Sequence, residues 1–196
     1  MQLSVIMLAA GLSKRMGRDK LLLPYKGKPL LAKGISLLEQ FLADEKILVI
    51  NKQRLIEVII PAGITPVLND DPQAGKSHSI SLGLKQASGS HYLFMTADQP
   101  LLDIAAMMDI LMVSKEYPDK IIYPAVKNEL RNPVLFPAEF RDALMALRCD
   151  EGGRKVVREN PESAVAVPTN SPEKFWDIDS EKDYEILVKM TDDLWT

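Results

Sequence analysis

The sequence predicts an α/β protein, with a three-layer α/β/α arrangement around a Rossmann-like, mostly parallel sheet. Short runs rich in β-branched and aromatic residues alternate along the chain with longer stretches of helical periodicity. Parallel strands need long crossover connections, so this alternation indicates a sheet covered by helices on both faces. The chain has 196 residues, 46% of them hydrophobic, which is enough for one well-buried core. We therefore expect a single domain spanning 1–196.

Each element follows from its local pattern. The predicted strands are 4–9, 46–50, 65–68, 92–96, 120–124, 133–136 and 164–167. Stretches with apolar residues at helical spacing are 30–41, 79–87, 104–117, 139–147, 153–159 and 181–190. The first strand is an unbroken apolar run, as expected for a strand buried on both faces of the sheet.

Charge and composition exclude several classes of function. The net charge of -3 disfavours general binding to nucleic acid or to an anionic membrane surface. No apolar run reaches the roughly 18 residues that a membrane-spanning helix needs. The only cysteine, Cys149, excludes an internal disulfide and fits a reducing compartment, so we expect a cytoplasmic protein.

The loop after the first strand combines small residues with positive charge. Ligands of parallel sheets bind at the carboxyl ends of the strands. The first strand leads into "AAGLSKRMGRDK", whose small residues allow a ligand close to free backbone amides. Its cations are Lys14, Arg15, Arg18 and Lys20. The position favours a phosphate-binding loop over a solvated basic turn, although the glycine spacing fits neither a Walker loop nor a dinucleotide fingerprint.

These residues resemble a known family. "LAAGLSKRMGRDKLLLP" is similar to the signature loop of nucleotidyltransferases that join a nucleoside monophosphate to a phosphorylated acceptor. The alanine doublet before the first glycine resembles, in particular, the molybdenum cofactor cytidylyltransferases of the MobA-like superfamily. Five further blocks agree in order, namely "GKSHSISLGL" from Gly75, "MTADQPLL" from Met95, "NPVLF" from Asn132, "CDEGGR" from Cys149 and "DIDSEKDY" from Asp177.

The resemblance implies a sheet of the nucleotide-diphospho-sugar transferase type, with a nucleotide-binding half at about 1–100 and an acceptor-binding half at about 101–196. It also implies Mg²⁺-dependent transfer of CMP from CTP to the terminal phosphate of molybdopterin, with release of pyrophosphate. The implied partners are CTP and molybdopterin, and beyond them a molybdenum hydroxylase or its chaperone.

The resemblance assigns roles to individual residues. Arg15, Lys20 and Asp98 would be catalytic, and Asp98 and Asp179 would hold the metal. The nucleotide would contact Leu8, Ala9, Ala10, Gly11, Arg15, Lys20, Gly75, Ser77 and Ser79. The acceptor would contact Asn132, Asp150, Gly152 and Arg154.

Structural roles compete with some of these assignments. Asp98 is a good helix-capping residue before a proline, and Asp179 or Ser180 could cap the helix predicted from 181. Asp177 lies two residues from Asp179 and is hard to separate from it by sequence. Arg154 is also an ordinary residue for the first turn of a helix.

Other functions stay open at this point. Lys76 and His78 depart from the family pattern and put the base contacts in doubt. The alternatives are guanylyl transfer, transfer to a different phosphorylated acceptor, and a non-catalytic cofactor-maturation partner of a molybdenum hydroxylase. Retention of Arg15, Lys20 and both metal-binding aspartates favours an enzyme.

Overall fold

The computed structural model describes residues 1–13 and 15–192, and a mixed sheet of eight strands forms its middle layer. Lys14 of the predicted phosphate-binding loop lies outside the described residues. The strands, in chain order, are β1 (Leu3–Ala9), β2 (Pro24–Tyr25), β3 (Lys28–Pro29), β4 (Glu45–Ile50), β5 (Thr65–Leu68), β6 (His91–Thr96), β7 (Ile121–Val126), β8 (Glu129–Leu130), β9 (Val134–Pro137) and β10 (Ala164–Pro168). Among the described residues, strands β2 and β3 pair only with each other.

The order of the strands brings several carboxyl ends to one edge of the sheet. The order is β10-β7-β9-β6-β1-β4-β5, with β8 paired to the carboxyl end of β7. Strand β1 lies at the centre and runs parallel to β4 and β6, so that Ile6 is level with Ile47 and Phe94. Strand β9 runs antiparallel to both of its neighbours. The loops that follow β1, β4, β5 and β6 therefore meet at one edge, where parallel sheets bind ligands.

Helices cover both faces of this sheet. They are α1 (Leu30–Gln40), α2 (Lys52–Leu55), α3 (Lys76–Gln86), α4 (Ile104–Glu116), α5 (Arg141–Met145), α6 (Gly153–Glu159) and α7 (Glu181–Asp192). Alternate residues of β1 point to opposite faces, as the period of a strand requires. Val5 and Met7 join a core with α1, α4 and α7, whereas Ile6 joins a second core with α3, α5 and α6. The three-layer α/β/α prediction is confirmed.

The predicted element bounds agree closely in some places and differ in others. Strand 65–68 and helix 153–159 match the structure. Helix α3 begins three residues earlier than predicted, at Lys76, and the region 139–147 is a 3₁₀ turn followed by the short α5. The strands β2, β3 and β8 and the short α2 were not predicted. Within residues 1–13 and 15–192, no helix combines the length and apolar character needed to cross a bilayer.

Candidate active site

A cleft of about 790 Å³ opens at the carboxyl ends of the central strands. Most of the residues predicted to bind substrates line it, namely Leu8, Ala9, Gly11, Arg15, Lys20, Gly75, Ser79, Asp98, Asn132, Asp150, Gly152, Arg154 and Asp179. Two predicted residues do not line the cleft. Ala10 is buried in the core under α3, and Ser77 is buried with its amide donating to the Cys149 carbonyl at 3.0 Å.

The Lys20 side chain lies between two carboxylates at the floor of the cleft. Its ammonium donates to Asp98 Oδ2 at 2.7 Å and to Asp179 Oδ1 at 2.8 Å. Arg15 reaches the same Asp179 from the solvent side, with 3.2 Å between Nη1 and Oδ2. Lys20 is 14% exposed and Arg15 is 80% exposed, so only the lysine is held inside the cleft. The structure thus brings together four residues, of which the first and the last lie 164 positions apart in the sequence.

The pKa values of this cluster reflect burial and neighbouring charge. Burial opposes the charged form of Lys20, but Asp98 and Asp179 outweigh it, and the pKa of Lys20 is raised above its ordinary value. Burial also opposes ionisation of Asp179, and Lys20 and Arg15 outweigh it, so the pKa of Asp179 is lowered. Asp177 lines the cleft beside them. Its burial, reinforced by the charges of Asp98 and Asp179, raises its pKa to about 6.

In the part of the chain that the structure describes, neither of the two metal-binding candidates caps a helix. Helix α4 is capped by Asp103, whose carboxylate accepts from the Ala106 amide. At the start of α7, the Ser180 hydroxyl accepts from the Asp183 amide, and Asp183 accepts in return from the Ser180 amide. This reciprocal pair is the arrangement of a capping box. The carboxylates of Asp98 and Asp179 are therefore directed at Lys20 instead.

The carboxylates in the cleft have the chemistry of a magnesium site that a substrate would complete. Asp98 Oδ1 is buried and has no hydrogen-bond partner in the described structure. Among the residues that the structure describes, no three His, Cys, Asp or Glu side chains are grouped to hold a metal by themselves. Magnesium is commonly held by one or two carboxylates together with substrate phosphates and water. The pair Asp98 and Asp179 fits that pattern.

The segment 69–79 forms another side of the cleft. Asn69, at the end of β5, is 1% exposed and donates from Nδ2 to Ser79 Oγ at 3.0 Å. Gly75 caps α3 with a φ of +94°, in the left-handed region that favours glycine. A Cβ on Gly75 would lie 2.3 Å from the Cys149 carbonyl oxygen. This close approach joins the predicted nucleotide segment to the predicted acceptor segment.

The predicted acceptor residues line a further wall of the cleft. Gln99 is buried and donates from Nε2 to the Asn132 and Phe175 carbonyls, both at 3.2 Å, which fixes Asn132 beside the cleft. Arg154 is exposed at the start of α6, and its charge acts on Asp177. Lys155 and Arg158 also line this wall and add positive charge. An anionic group of an acceptor would meet a basic surface here.

Sequence reasoning missed a buried arginine behind the loop after β1. Arg54, in α2, is 1% exposed and forms an ion pair with Asp19, with 2.7 Å between Nε and Oδ2. Nothing in the pattern around Arg54 distinguishes it from a solvent-exposed cation, because its partner lies 35 residues earlier in the chain. Burial of a charge is tolerated when it is paired and hydrogen-bonded, as here.

A central parallel sheet with an amide-rich loop and a cation–carboxylate cluster at its carboxyl edge is typical of enzymes that act on nucleoside triphosphates. Comparison with known proteins makes this specific. Residues 5–165 match the model of the MobA-like NTP transferase domain, and the chain belongs to this family of nucleotidyltransferases.

Individual relatives are distant but similar over nearly their whole length. The purine catabolism protein PucB of Bacillus subtilis is 24% identical over 93% of this chain and 94% of its own. A probable molybdenum cofactor guanylyltransferase of Pyrococcus horikoshii is 26% identical over 96% of this chain and 100% of its own. The crystal structure of a Mycobacterium sp. strain JC1 homologue of Rv0371c superposes with a TM-score of 0.84 at 21% identity, covering 99% of this chain and 100% of that one. The predicted nucleotide-diphospho-sugar transferase type of fold is confirmed.

Proposed function

We propose that this nucleotidyltransferase moves CMP from CTP to the terminal phosphate of molybdopterin and releases pyrophosphate. The observation that supports it best is the Lys20 ammonium between Asp98 and Asp179 at the sheet edge. Both substrates are anions, so the site must supply positive charge where they meet. Lys20 supplies that charge, and its carboxylate partners are the groups that magnesium prefers.

The loop 10–19 would hold the triphosphate. A Cβ on Gly11 would meet no protein atom within 4 Å, so the backbone there is open to a ligand. The amides of residues 11–13 have no hydrogen-bond partner among the described residues. Arg15 is exposed and can turn from Asp179 towards a phosphate. Free amides and flanking cations form the concave anion site that a triphosphate needs.

Magnesium would be held by Asp98 and Asp179. When bound, it would neutralise triphosphate charge and polarise the α-phosphate. Lys20 would then donate to phosphate oxygens instead of to the two carboxylates, because the metal would compensate the negative charge of those carboxylates. Arg15 and Lys20 would then stabilise the charge that develops as the acceptor oxygen bonds to the α-phosphorus and the bond to pyrophosphate breaks.

The acceptor would occupy the wall formed by Asn132, Asp150, Gly152 and Arg154. The guanidinium of Arg154 suits a terminal phosphate, which it can bind through two parallel hydrogen bonds. The contact between Gly75 and the Cys149 carbonyl brings this wall next to the nucleotide segment. That proximity allows the two phosphates to approach each other, which is the main requirement of a transfer reaction.

The choice of base rests on the segments beside the loop. The alanine doublet Ala9–Ala10 resembles the cytidylyl branch. Ser79, whose hydroxyl is positioned by the hydrogen bond from buried Asn69, lines the cleft and is a polar residue that a small pyrimidine could reach. Guanylyl transfer is the second candidate, because the Pyrococcus horikoshii relative bears that name. The cytidylyl product would be delivered to a molybdenum hydroxylase or its chaperone.

Steady-state assays with molybdopterin, magnesium and either CTP or GTP test the proposal. We expect a higher kcat/KM with CTP, because polar groups left unpaired by the wrong base are costly. A Lys20→Ala variant assayed in parallel controls for contaminating transferases. Equal or faster turnover with GTP would replace cytidylyl by guanylyl transfer, and no turnover with either nucleotide would exclude molybdopterin as the acceptor.

A further inference from the structure

Arg54 is buried behind the loop 10–19, on the short helix α2, and contacts both ends of that loop. We propose that Arg54 is a positioning residue that keeps this loop in its triphosphate-binding conformation before the nucleotide arrives. The inference rests on the proposed function of the loop. It concerns a residue that lies outside the cation–carboxylate cluster around Lys20.

The guanidinium of Arg54 binds the start of the loop through backbone carbonyls. Nη1 donates to the Ala9 carbonyl and Nη2 to the Gly11 carbonyl, each at 2.6 Å. Because the Gly11 carbonyl is directed at Arg54, the Leu12 amide of the same peptide group points away from Arg54. The amides of 11–13 have no hydrogen-bond partner among the described residues. Peptide groups whose carbonyl oxygens are hydrogen-bonded to the protein and whose N–H groups have no protein partner can donate to a bound anion.

The same guanidinium binds the end of the loop through Asp19. The two groups form a bidentate pair, with 2.7 Å from Nε to Oδ2 and 2.8 Å from Nη2 to Oδ1. Asp19 also accepts from the Leu21 amide at 3.1 Å and so caps the 3₁₀ turn Lys20–Leu22. The position of Lys20 in the cleft therefore depends on the residue that Arg54 holds.

The middle of the loop contains a strained residue that these contacts support. Ser13 has a φ of +51°, which is unfavourable for a residue with a side chain. Its hydroxyl accepts from the Lys20 amide at 3.3 Å and lies 3.4 Å from Arg54 Nη2. Strain of this kind persists only when the surrounding contacts determine the conformation.

The position of Arg54 is itself fixed by secondary structure. The Asn51 side chain caps α2 by accepting from the Arg54 amide at 2.9 Å. Helix α2 directly follows β4, the neighbour of β1, so the guanidinium is anchored to the rigid sheet. A rigid anchor lowers the ordering cost that the loop would otherwise pay on binding.

Loss of the Arg54 contacts should weaken nucleotide binding, because fewer molecules would have the loop in its binding conformation. If that conformation falls to about 1–10% of molecules, the apparent Kd rises about 10- to 100-fold with no change in the direct contacts. Arg54→Lys keeps the positive charge but loses the bidentate pair and one carbonyl contact. Arg141→Ala is the matched control, because Arg141 also donates to two backbone carbonyls, those of Leu84 and Ala87, away from the cleft.

Isothermal titration calorimetry with magnesium and CTP or GTP, on the wild type and both variants, is the first measurement. Hydrogen exchange of the loop amides in the nucleotide-free proteins is the second. We expect Arg54→Lys to raise the nucleotide Kd at least about 10-fold and to speed exchange of the hydrogen-bonded amides of Met16 and of residues 20–22. We expect Arg141→Ala to lower Tm without either effect. Low-millimolar guanidinium should restore affinity to Arg54→Ala if that variant folds.

Two results would overturn the proposal. One is an Arg54→Lys protein that binds nucleotide within about twofold of the wild type; the other is an equal loss of affinity in Arg141→Ala. Failure of the proposed function gives a different result, because the wild type itself would then bind neither nucleotide. In that case the exchange rates of the Met16 amide and of the amides of 20–22 alone decide whether Arg54 orders the loop.

Discussion

The Lys20 ammonium lies 2.7 Å from Asp98 Oδ2 and joins the loop after β1 to the turn after β6. This contact places a positive charge where two further carboxylates, Asp177 and Asp179, would otherwise repel Asp98. The nucleotide-free site is thus stabilised by a cation that belongs to the protein. When a magnesium nucleotide binds, magnesium could replace Lys20 as the partner of the aspartates, and the phosphates could replace the aspartates as the partners of Lys20. No buried charge would then be left unpaired.

Substitution of Lys20 or Arg15 should strongly reduce transfer but preserve the fold. We expect Lys20→Ala and Arg15→Ala each to lower kcat about 10² to 10³-fold, because each removes a preorganised donor to developing charge. Steady-state kinetics and circular dichroism measure the two parts of this prediction. Near-normal turnover in both variants would contradict the assignment of the loop.

Arg18→Ala is the control for general loss of positive charge in the same loop. Arg18 is 53% exposed and pairs with Glu181, outside the cluster around Lys20. Its substitution should change kcat less than about threefold, because exposed ion pairs contribute little. An Arg18→Ala loss as large as that of Lys20→Ala would indicate a general effect of charge.

Substitution of Asp98 or Asp179, the two aspartates that bind Lys20, should reduce activity more than substitution of Asp177. Asp98→Ala should nearly abolish activity and weaken magnesium-dependent nucleotide binding, because triphosphate charge would go uncompensated. Asp177→Ala should have a much smaller effect. Titration of nucleotide with and without magnesium, for Asp98, Asp177 and Asp179 variants, measures this. Equal and large losses at Asp177 and Asp179 would assign the metal to Asp177 as well.

Local patterns in the sequence predict most of the sheet and most of the segments that line the cleft. Strand 65–68 and helix 153–159 are delimited by turn residues and apolar spacing, which are properties of neighbouring residues. Helix α3 is less predictable, because Lys76 begins the helix without any apolar pattern and only the φ of Gly75 marks its start.

Local sequence patterns do not show which charged side chains pair with groups that are distant in the chain. Arg54 reads as a surface cation, and only the fold brings Asp19 and two backbone carbonyls around it. The raised pKa of Asp177 likewise results from burial and from the approach of other carboxylates, which sequence spacing does not show. The candidate residues can thus be predicted, whereas the contacts that hold them in position cannot.

Gly11→Ala should separate ligand contact from protein stability. A methyl group at this position would meet no protein atom within 4 Å, so we expect a Tm within about 1–2 °C of the wild type. If the backbone there approaches a phosphate, the nucleotide Kd should rise about tenfold or more, because the methyl group occupies that space. Differential scanning fluorimetry and nucleotide titration measure the two effects.

Gly75→Ala is the contrasting control for Gly11→Ala. Its new Cβ would lie 2.3 Å from the Cys149 carbonyl oxygen, at a φ that disfavours a side chain. We expect a clear loss of Tm in this variant even without ligand. Unchanged nucleotide binding in Gly11→Ala would place the phosphates away from this backbone.

Glu45 ties together three segments at the edge of the sheet opposite the cleft. Its carboxylate accepts from the Ser4 hydroxyl, from the Ser88 hydroxyl at 2.6 Å and from the Ser88 amide at 2.9 Å. Burial opposes ionisation, and these hydrogen bonds outweigh it, so the pKa of Glu45 is lowered from its ordinary value of 4.5. The ionised form is therefore the one that stabilises the fold.

The stability that Glu45 contributes should depend on pH in a defined direction. As pH falls below 4.5, the unfolded chain takes up the proton before the folded protein does, so this contribution decreases until the lowered folded pKa is passed. We expect Glu45→Gln to lower Tm by a few degrees above about pH 6, since a charge-assisted acceptor is worth on the order of 1–2 kcal/mol. The difference from the wild type should narrow as pH falls from 5 towards about 3. Thermal unfolding across this pH range measures the difference in Tm between the variant and the wild type, and Glu116→Gln, at an exposed position, is the control. A Tm difference that stays constant with pH would show that the Glu45 carboxylate is not stabilised by these hydrogen bonds.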